Sequence, residues 1–501
     1  MKKIKYISLL LFLAICASCI NDESHESNLP ISEIIIEASS IQEVYNIEKN
    51  DNLTISPVIS QTNKNKDVTY TWEINQEVYS HDKQFIYSGD VLGSYKCRLI
   101  LANEDGKTFF PFIVNVNSPY EEGITIVSKD SEGNSMLSFM LGNPDGTDSG
   151  IFKEGDCFSV NNTDIPFASN VSDIIQTNEN LIIACRGKEE EATSTLYYLN
   201  DKTFVVENMV TVSEYPDFRP TRMAVPEMNS VGTAYPILSD DGKIYEFSTL
   251  EGVVTEARKL QSNYSQSYGY YQEITGYYYL IFWDKVVNGL CELYNGYGPY
   301  YCSNKYHLSR QECIDSTQYN YFYGREFVNM FVPRLTSAQA STESAQIVVL
   351  TKSGFINQKT ILDIGFWQYN YETAQNVLID NGGSTMSGIG TSRFTEGTPH
   401  VANRTYYSLL FGVENDIYRW NYTSSEWIIN AKILTSVGSD KAIITSMEIS
   451  ADHTRTYIAY YEPDEEGLNG HVAVINTDTG ELLAQYDNIC YRPVKIMYKK
   501  K

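Results

Sequence analysis

From about Ser118 to the C-terminus one pattern recurs without recurring letters: an apolar strand, a turn and a further strand pair. It can be read in "LIIACRGKEEEATSTLYYLNDKTFVVENM", "AYPILSDDGKIYEFSTLEGVVTEA", "YYYLIFWDKVVNGLCELYN", "QIVVLTKSGFINQKTILDIGFWQYN", "YYSLLFGVENDIYRWNYTSSEWIINAKIL" and "RTYIAYYEPDEEGLNGHVAVINTDTGELLAQY". The spacing is roughly 45–65 residues with about four strands in each unit, which is the period of a β-propeller. One such unit leaves an apolar face that only a neighbour can bury, so the units must close into a ring. Six units plus "GITIVSKDSEGNSMLSFML" give seven blades over residues 118–501, with eight the alternative. "GITIVS" near Ile124 is expected to complete the last blade and lock the ring.

Residues 31–117 read differently. "ISEIIIEAS", "NLTISPVIS", "VTYTWEINQEVYS", "KQFIYSG" and "GSYKCRLILANEDGKTFFPFIVNVN" are successive strand candidates. Alternation puts Tyr70, Trp72 and Ile74 on one face of their strand, and Tyr95, Cys97 and Leu99 on one face of theirs. "NEDGK" marks a hairpin, with Gly106 free to take a positive φ. Short strands at this density indicate an immunoglobulin-like β-sandwich, with Trp72 in its core. The chain is therefore all-β, and its 39 tyrosines suit half-buried strands.

The N-terminus carries a targeting pattern. Lys2, Lys3 and Lys5 precede an apolar run from Tyr6 to Ile15. That run is too short to span a bilayer, which needs roughly 20 residues. A charged start, a short apolar core and small residues make a secretory signal. Ala17 and Ser18 before Cys19 resemble a bacterial lipobox, whose cysteine is acylated and becomes the first residue. Ile15 is too bulky to precede a cut at Cys16, and Cys16 itself stands where that motif usually has leucine. The expected division is a signal peptide over 1–18, a lipid anchor at Cys19 and an acidic tether over 19–30. Without the three lysines of the signal, the mature chain has 35 basic against 63 acidic side chains, a net charge of −28. Such a chain repels nucleic acid and anionic surfaces.

"ISPVIS", "VTYTWEINQEVYS" and "GSYKCRLILANEDGKTFFPFIVNVNSPYEEGITIVSKD" together resemble the PKD-like domain of Bacteroidetes surface lipoproteins. The acidic "INDESHES" after Cys19 resembles the tract that directs export to the outer face of the outer membrane in that group. The resemblance implies an accessory lipoprotein of a starch-utilisation-type uptake system. Its partners would be a TonB-dependent transporter and the lid lipoprotein of that transporter.

No enzyme signature is present in the form of GxSxG, HExxH or a Walker loop. The six histidines have no ligand spacing, and no metal or cofactor is expected. Seven cysteines remain besides Cys16 and Cys19, none in a zinc spacing. They read as buried thiols, although Cys291, Cys302 and Cys313 lie close enough in sequence to include one disulfide. Two carboxylates on a propeller would make a glycosidase, but no pair stands out among so many acids.

The most unusual composition lies between Tyr264 and Tyr323, which hold 15 of the 39 tyrosines. "YYYLIFWD" reads as a buried blade strand, whereas glycine and proline in "YNGYGPYY" read as a loop. Loop tyrosines stack on a sugar or a peptide while the hydroxyl still hydrogen-bonds. Tyr294, Tyr297, Tyr300 and Tyr301 are thus candidate ligand contacts, with Trp367 and Tyr369 of "GFWQYNY" as a second cluster. Ordinary inter-blade packing is the competing reading of both. "DST" at Asp315 to Thr317 resembles a short O-glycosylation motif, with Ser316 the acceptor. The expectation is a non-enzymatic surface lipoprotein that binds a glycan or peptide, or docks on a transporter. A propeller hydrolase or lyase, and a purely structural subunit, are the alternatives.

Overall fold

The computed structural model describes residues 31–142, 151–153, 155–177, 179–188, 193–224, 234–257, 260, 263–272, 277–294, 297–302, 308–315, 318–354, 356–364, 367–370, 375–378, 386–389 and 392–501. The chain divides into two compact units, Met1–Ser118 and Pro119–Lys501, each with its own core.

The second unit contains seven four-stranded antiparallel sheets. Blade 1 runs Val171–Gln176, Asn180–Cys185, Ser194–Asn200 and Val206–Val212. Blade 2 runs Pro220–Met223, Ala234–Ser239, Ile244–Ser248 and Val253–Glu256. Blade 3 runs Tyr264–Gln272, Tyr277–Asp284, Gly289–Tyr294 and Tyr297–Tyr301. Blade 4 runs Glu326–Phe331, Gln346–Ser353, Ile356–Asp363 and Met386–Ile389, with the hairpin Trp367–Asn370/Gln375–Leu378 inserted before its last strand. Blade 5 runs His400–Asn403, Ser408–Val413, Asp416–Asn421 and Lys432–Ser436. Blade 6 runs Ile443–Ile449, Arg455–Tyr461, Gly470–Asn476 and Leu482–Cys490.

Blade 7 is shared by the two ends of the unit. Its first strand is the C-terminal Arg492–Lys499, and its others are Gly123–Lys129, Ser135–Leu141 and Ile151–Phe152. Gly123–Lys129 pairs with Arg492–Lys499 through seven partners, so the expected seam is present. Seven apolar clusters then complete the circuit. Each spans one junction: Phe139 with Val171, Ile182 with Ile237, Leu238 with Leu280, Ile281 with Ile347, Val348 with Leu409, Leu410 with Ile458, and Val472 with Ile124. Blade strands between two neighbours are buried on both faces. "NLIIAC" of blade 1 is therefore a continuous apolar run with all six residues buried, not an alternating one. The outermost Val206–Val212 is mostly exposed or half-exposed.

Neighbouring sheets approach one another mainly through their first strands, which makes these the innermost. Six of the seven carry a bulge against the second strand, and beside three of these bulges a polar side chain bonds a backbone N–H of the next blade. Asp173 accepts from the Met223 backbone N–H at 2.6 Å, Gln266 from Met330 at 3.4 Å and Ser446 from Ile496 at 3.0 Å. Asp173 also accepts from the Lys495 ammonium at 2.8 Å, so one buried carboxylate ties blades 7, 1 and 2.

The first unit is a β-sandwich. Its larger sheet has the order Val44–Glu48, Gly106–Asn117, Gly93–Asn103, Thr69–Ile74, Glu77–Ser80. Asn52–Ile55 with Phe85–Ser88, and Ile34–Ile36 with Ile59–Gln61, form two smaller pairs. Trp72 is fully buried against Phe85 and Phe112, with ring centroids 5.1 and 6.0 Å away. Its indole N–H donates to the Asp82 carbonyl at 2.8 Å. The hairpin expected at "NEDGK" closes on the pair Asn103 and Gly106, but Gly106 does not use a positive φ. The Asn103 side chain instead accepts from Asp105 and Gly106 N–H, each at 3.0 Å, and closes the turn by itself. The seven cysteines in the described residues are all buried, and none of them is in a disulfide.

Candidate functional site: a groove on the tyrosine-rich blade

The segment "YNGYGPYY", expected as a loop, contributes two strands of blade 3. Cys291 pairs with Tyr301, Glu292 with Tyr300 and Tyr294 with Tyr297, with a bulge that takes up the extra residues. Gly298 sits there at φ 117°, where a Cβ would come within 2.9 Å of the Glu292 carbonyl. Pro299 lacks a backbone donor and is tolerated because this strand is the outer edge of its sheet. Glycine and proline thus shape an edge strand instead of breaking one.

Tyr301 is not a surface contact, which corrects its expected role. Its side chain is completely buried, and its hydroxyl donates to Asp284 at 2.6 Å. Burial pushes the phenol far above its ordinary range, so it remains a donor. Asp284 is buried as well, and it accepts from Arg310 Nε at 3.0 Å and from the Val286 N–H at 2.8 Å. The Tyr301 N–H donates to the Leu308 carbonyl at 2.9 Å. Together these bonds fix the short helix Arg310–Asp315 against the edge strand. At the helix start the Ser309 N–H and hydroxyl both donate to Glu312 at 2.8 Å, and they hold its carboxyl below the usual range.

Between this helix and the edge strand lies an open groove of about 540 Å³. Gly298, Pro299 and Tyr300 line one side, and Ser309, Arg310, Gln311 and Glu312 line the other. An aromatic ring and a proline ring thus face a cation, an amide and an anion. That is the chemistry of a polar ligand with an apolar face. Glu312 is the one carboxylate among the described lining residues, since Asp284 is sealed beneath. A second depression, about 440 Å³, lies on the sandwich beside Tyr70, His81 and Lys83, without an exposed aromatic face, since Tyr70 is buried.

Of the other candidates, Tyr300 is half-buried in the groove wall. Tyr294 and Tyr297 occupy adjacent strands of the same sheet, and Trp367 and Tyr369 lie in the hairpin inserted in blade 4. The side chains of these four, together with Cys19 and Ser316, lie outside the described residues. Arg310, Gln311 and Glu312 were not anticipated, although "SRQE" has the Ser-x-x-Glu spacing of a helix cap. Among the described residues no group of three or more histidines, cysteines or acids is placed to hold a metal.

Residues 35–103 match the model of the PKD-like domain family, so the sandwich carries a PKD-like domain. No curated protein matches the chain. Solved structures that align with it include a quinoprotein alcohol dehydrogenase-like protein from Bacteroides thetaiotaomicron, at 15% identity and TM-score 0.46, over 93% of this chain and 99% of that one. The dihydro-heme d1 dehydrogenase NirN aligns at 8% identity and TM-score 0.38, over 80% and 72% of the two chains. Sqt1 of Saccharomyces cerevisiae aligns at 8% identity and TM-score 0.39, over 74% and 88%. The seven-bladed architecture rests on the sheets and junctions of this chain itself.

Proposed function

We propose that this is an outer-membrane lipoprotein, anchored through Cys19 and exposed at the cell surface, that captures a glycan or peptide nutrient without catalysis. The groove on blade 3 carries the reading: a half-exposed Tyr300 and Pro299 opposite Arg310, Gln311 and Glu312. A sugar ring stacks on Tyr300, and its hydroxyls bond the polar wall. The wall is held by the bond of Arg310 to the buried Asp284–Tyr301 pair, so little ordering entropy is lost on binding. Glycosidases use two carboxylates across the scissile bond, and among the described residues the groove wall supplies Glu312 alone. The PKD-like domain serves as a spacer above the membrane. Transfer to a TonB-dependent transporter and its lid lipoprotein is the step this capture would feed.

The test is a screen of the soluble protein, lacking residues 1–19, against glycans and peptides, with binding and product release both monitored. Binding without product supports the reading. Product release would make it a hydrolase or lyase, and silence for every ligand would leave a structural subunit of the transporter complex.

A further inference from the structure

The polar wall of the groove on blade 3 carries one positive and one negative side chain, but the two are not equally compensated. Arg310 already has its counter-charge. Asp284 beneath it accepts from the Tyr301 hydroxyl at 2.6 Å, the Val286 N–H at 2.8 Å, Arg310 Nε at 3.0 Å and the Val287 N–H at 3.3 Å. Four donors converge on this one buried carboxyl, which fixes it as the anion that neutralises Arg310.

Glu312 is different, because no cation pairs with it among the described residues. Its Oε2 accepts from the Ser309 N–H and hydroxyl, both at 2.8 Å. These uncharged donors keep the carboxyl ionised without cancelling its charge. Its other oxygen, Oε1, has no partner among the described residues, and the side chain is exposed. Gln311 adds a second acceptor to the same wall. Its amide N–H donates to Asp315 at 2.9 Å, which orients the amide and leaves the carbonyl oxygen without a described partner. Asp315, one turn further along the helix and also exposed, adds to the negative charge on this side. The Pro299 and Tyr300 rings face this wall across the groove.

A net negative wall that offers acceptors opposite an aromatic ring disfavours an anionic ligand. A neutral sugar stacks on the ring and donates its hydroxyls, but it leaves the Glu312 charge without a counter-charge. A lysine side chain supplies the charge but lacks a ring face and hydroxyl donors. An amino sugar supplies all three. We propose that this groove selects a glycan that carries a free amine, of which an oligomer of glucosamine is the representative. The sugar ring stacks on Tyr300, a hydroxyl donates to the Gln311 carbonyl oxygen, and the ammonium bonds Glu312 Oε1. The proposal rests on the reading of the groove as a site of glycan capture and narrows that reading to one substrate class.

Calorimetric titration of the whole soluble protein tests the assignment at about pH 6, where an amine is protonated and Glu312 is ionised. The ligands are glucosamine tetramer, its N-acetylated counterpart, cellotetraose and tetralysine. Glucosamine tetramer is expected to bind roughly 5- to 30-fold more tightly than the N-acetylated and neutral tetramers, the range for a charge-assisted bond that stays partly exposed. Glu312→Gln keeps the size of the side chain and removes its charge. It is expected to bring glucosamine tetramer down to the affinity of the neutral sugars, and its melting temperature reports whether it is folded. Equal or tighter binding of either uncharged tetramer by the native protein would overturn the substrate class while leaving glycan capture intact. Tighter binding of tetralysine than of any sugar, or an undiminished preference for the amine in the folded Glu312→Gln protein, would overturn it as well. Silence for every sugar would reject the capture of glycans itself, and the substrate class with it.

Discussion

Replacing Asp173 tests whether the ring is held at its axis as well as by its apolar junctions. The side chain is 3% exposed and accepts from Met223 N–H of blade 2 and Lys495 of blade 7. Asp173→Ala leaves the buried N–H without an acceptor, which costs about 1–3 kcal/mol. Lys495 is 31% exposed, so its lost partner is partly replaced by water and adds about 1 kcal/mol. The sum is about 2–4 kcal/mol. A unit of this length gains roughly 0.8 kcal/mol/K of entropy on unfolding, so its Tm falls by about 3–5 °C. Asp173→Asn keeps an acceptor for Met223 and loses about half as much. Scanning calorimetry measures this, with the sandwich transition as internal control. An unchanged propeller transition in Asp173→Ala, or an equal shift of both transitions, refutes the reasoning.

Other expectations follow from the same bonds. Tyr301→Phe removes the hydroxyl from buried Asp284 and destabilises blade 3 by about 1.5–3 kcal/mol, seen as a lower urea midpoint. The seven buried thiols, among them Cys97 pushed by burial to about 11 and Cys157 and Cys313 to about 12, stay unreactive to a thiol reagent at pH 7.5 until denaturant is added. His400 and His453 are both held down to about 4, chiefly by burial, against 6.5 when unfolded. The unfolded chain therefore binds more protons between these values, and stability falls as pH drops from about 6.5 to about 4. A propeller Tm that stays flat over that range contradicts the buried neutral histidines.

The two-unit plan and the blade number could be read from the sequence because both depend on local patterning. Each blade is a run such as "LIIAC" or "QIVVL" that must be covered on two sides, and seven such runs close a ring. Trp72 was legible for the same reason, as the large apolar residue of an alternating strand. The groove was legible only in part. Tyrosine density pointed to blade 3, but alternation in an edge strand sends Tyr300 and Tyr301 to opposite sides. Sequence treated them alike, whereas the structure seals one on Asp284 and leaves the other in the groove wall. The opposite wall depends on Arg310 meeting Asp284 across 26 positions, a contact that no local pattern encodes.

The most direct measurement is the affinity of the soluble protein for glycans, compared with that of Tyr300→Ala. The alanine variant retains the Asp284–Tyr301–Arg310 framework and removes the stacking face, worth about 1 kcal/mol or more. The account predicts that a glycan bound by the native protein is held at least about fivefold more weakly by the variant, whose melting transition shows it folded. Equal affinity for the bound glycan in the two proteins would contradict it.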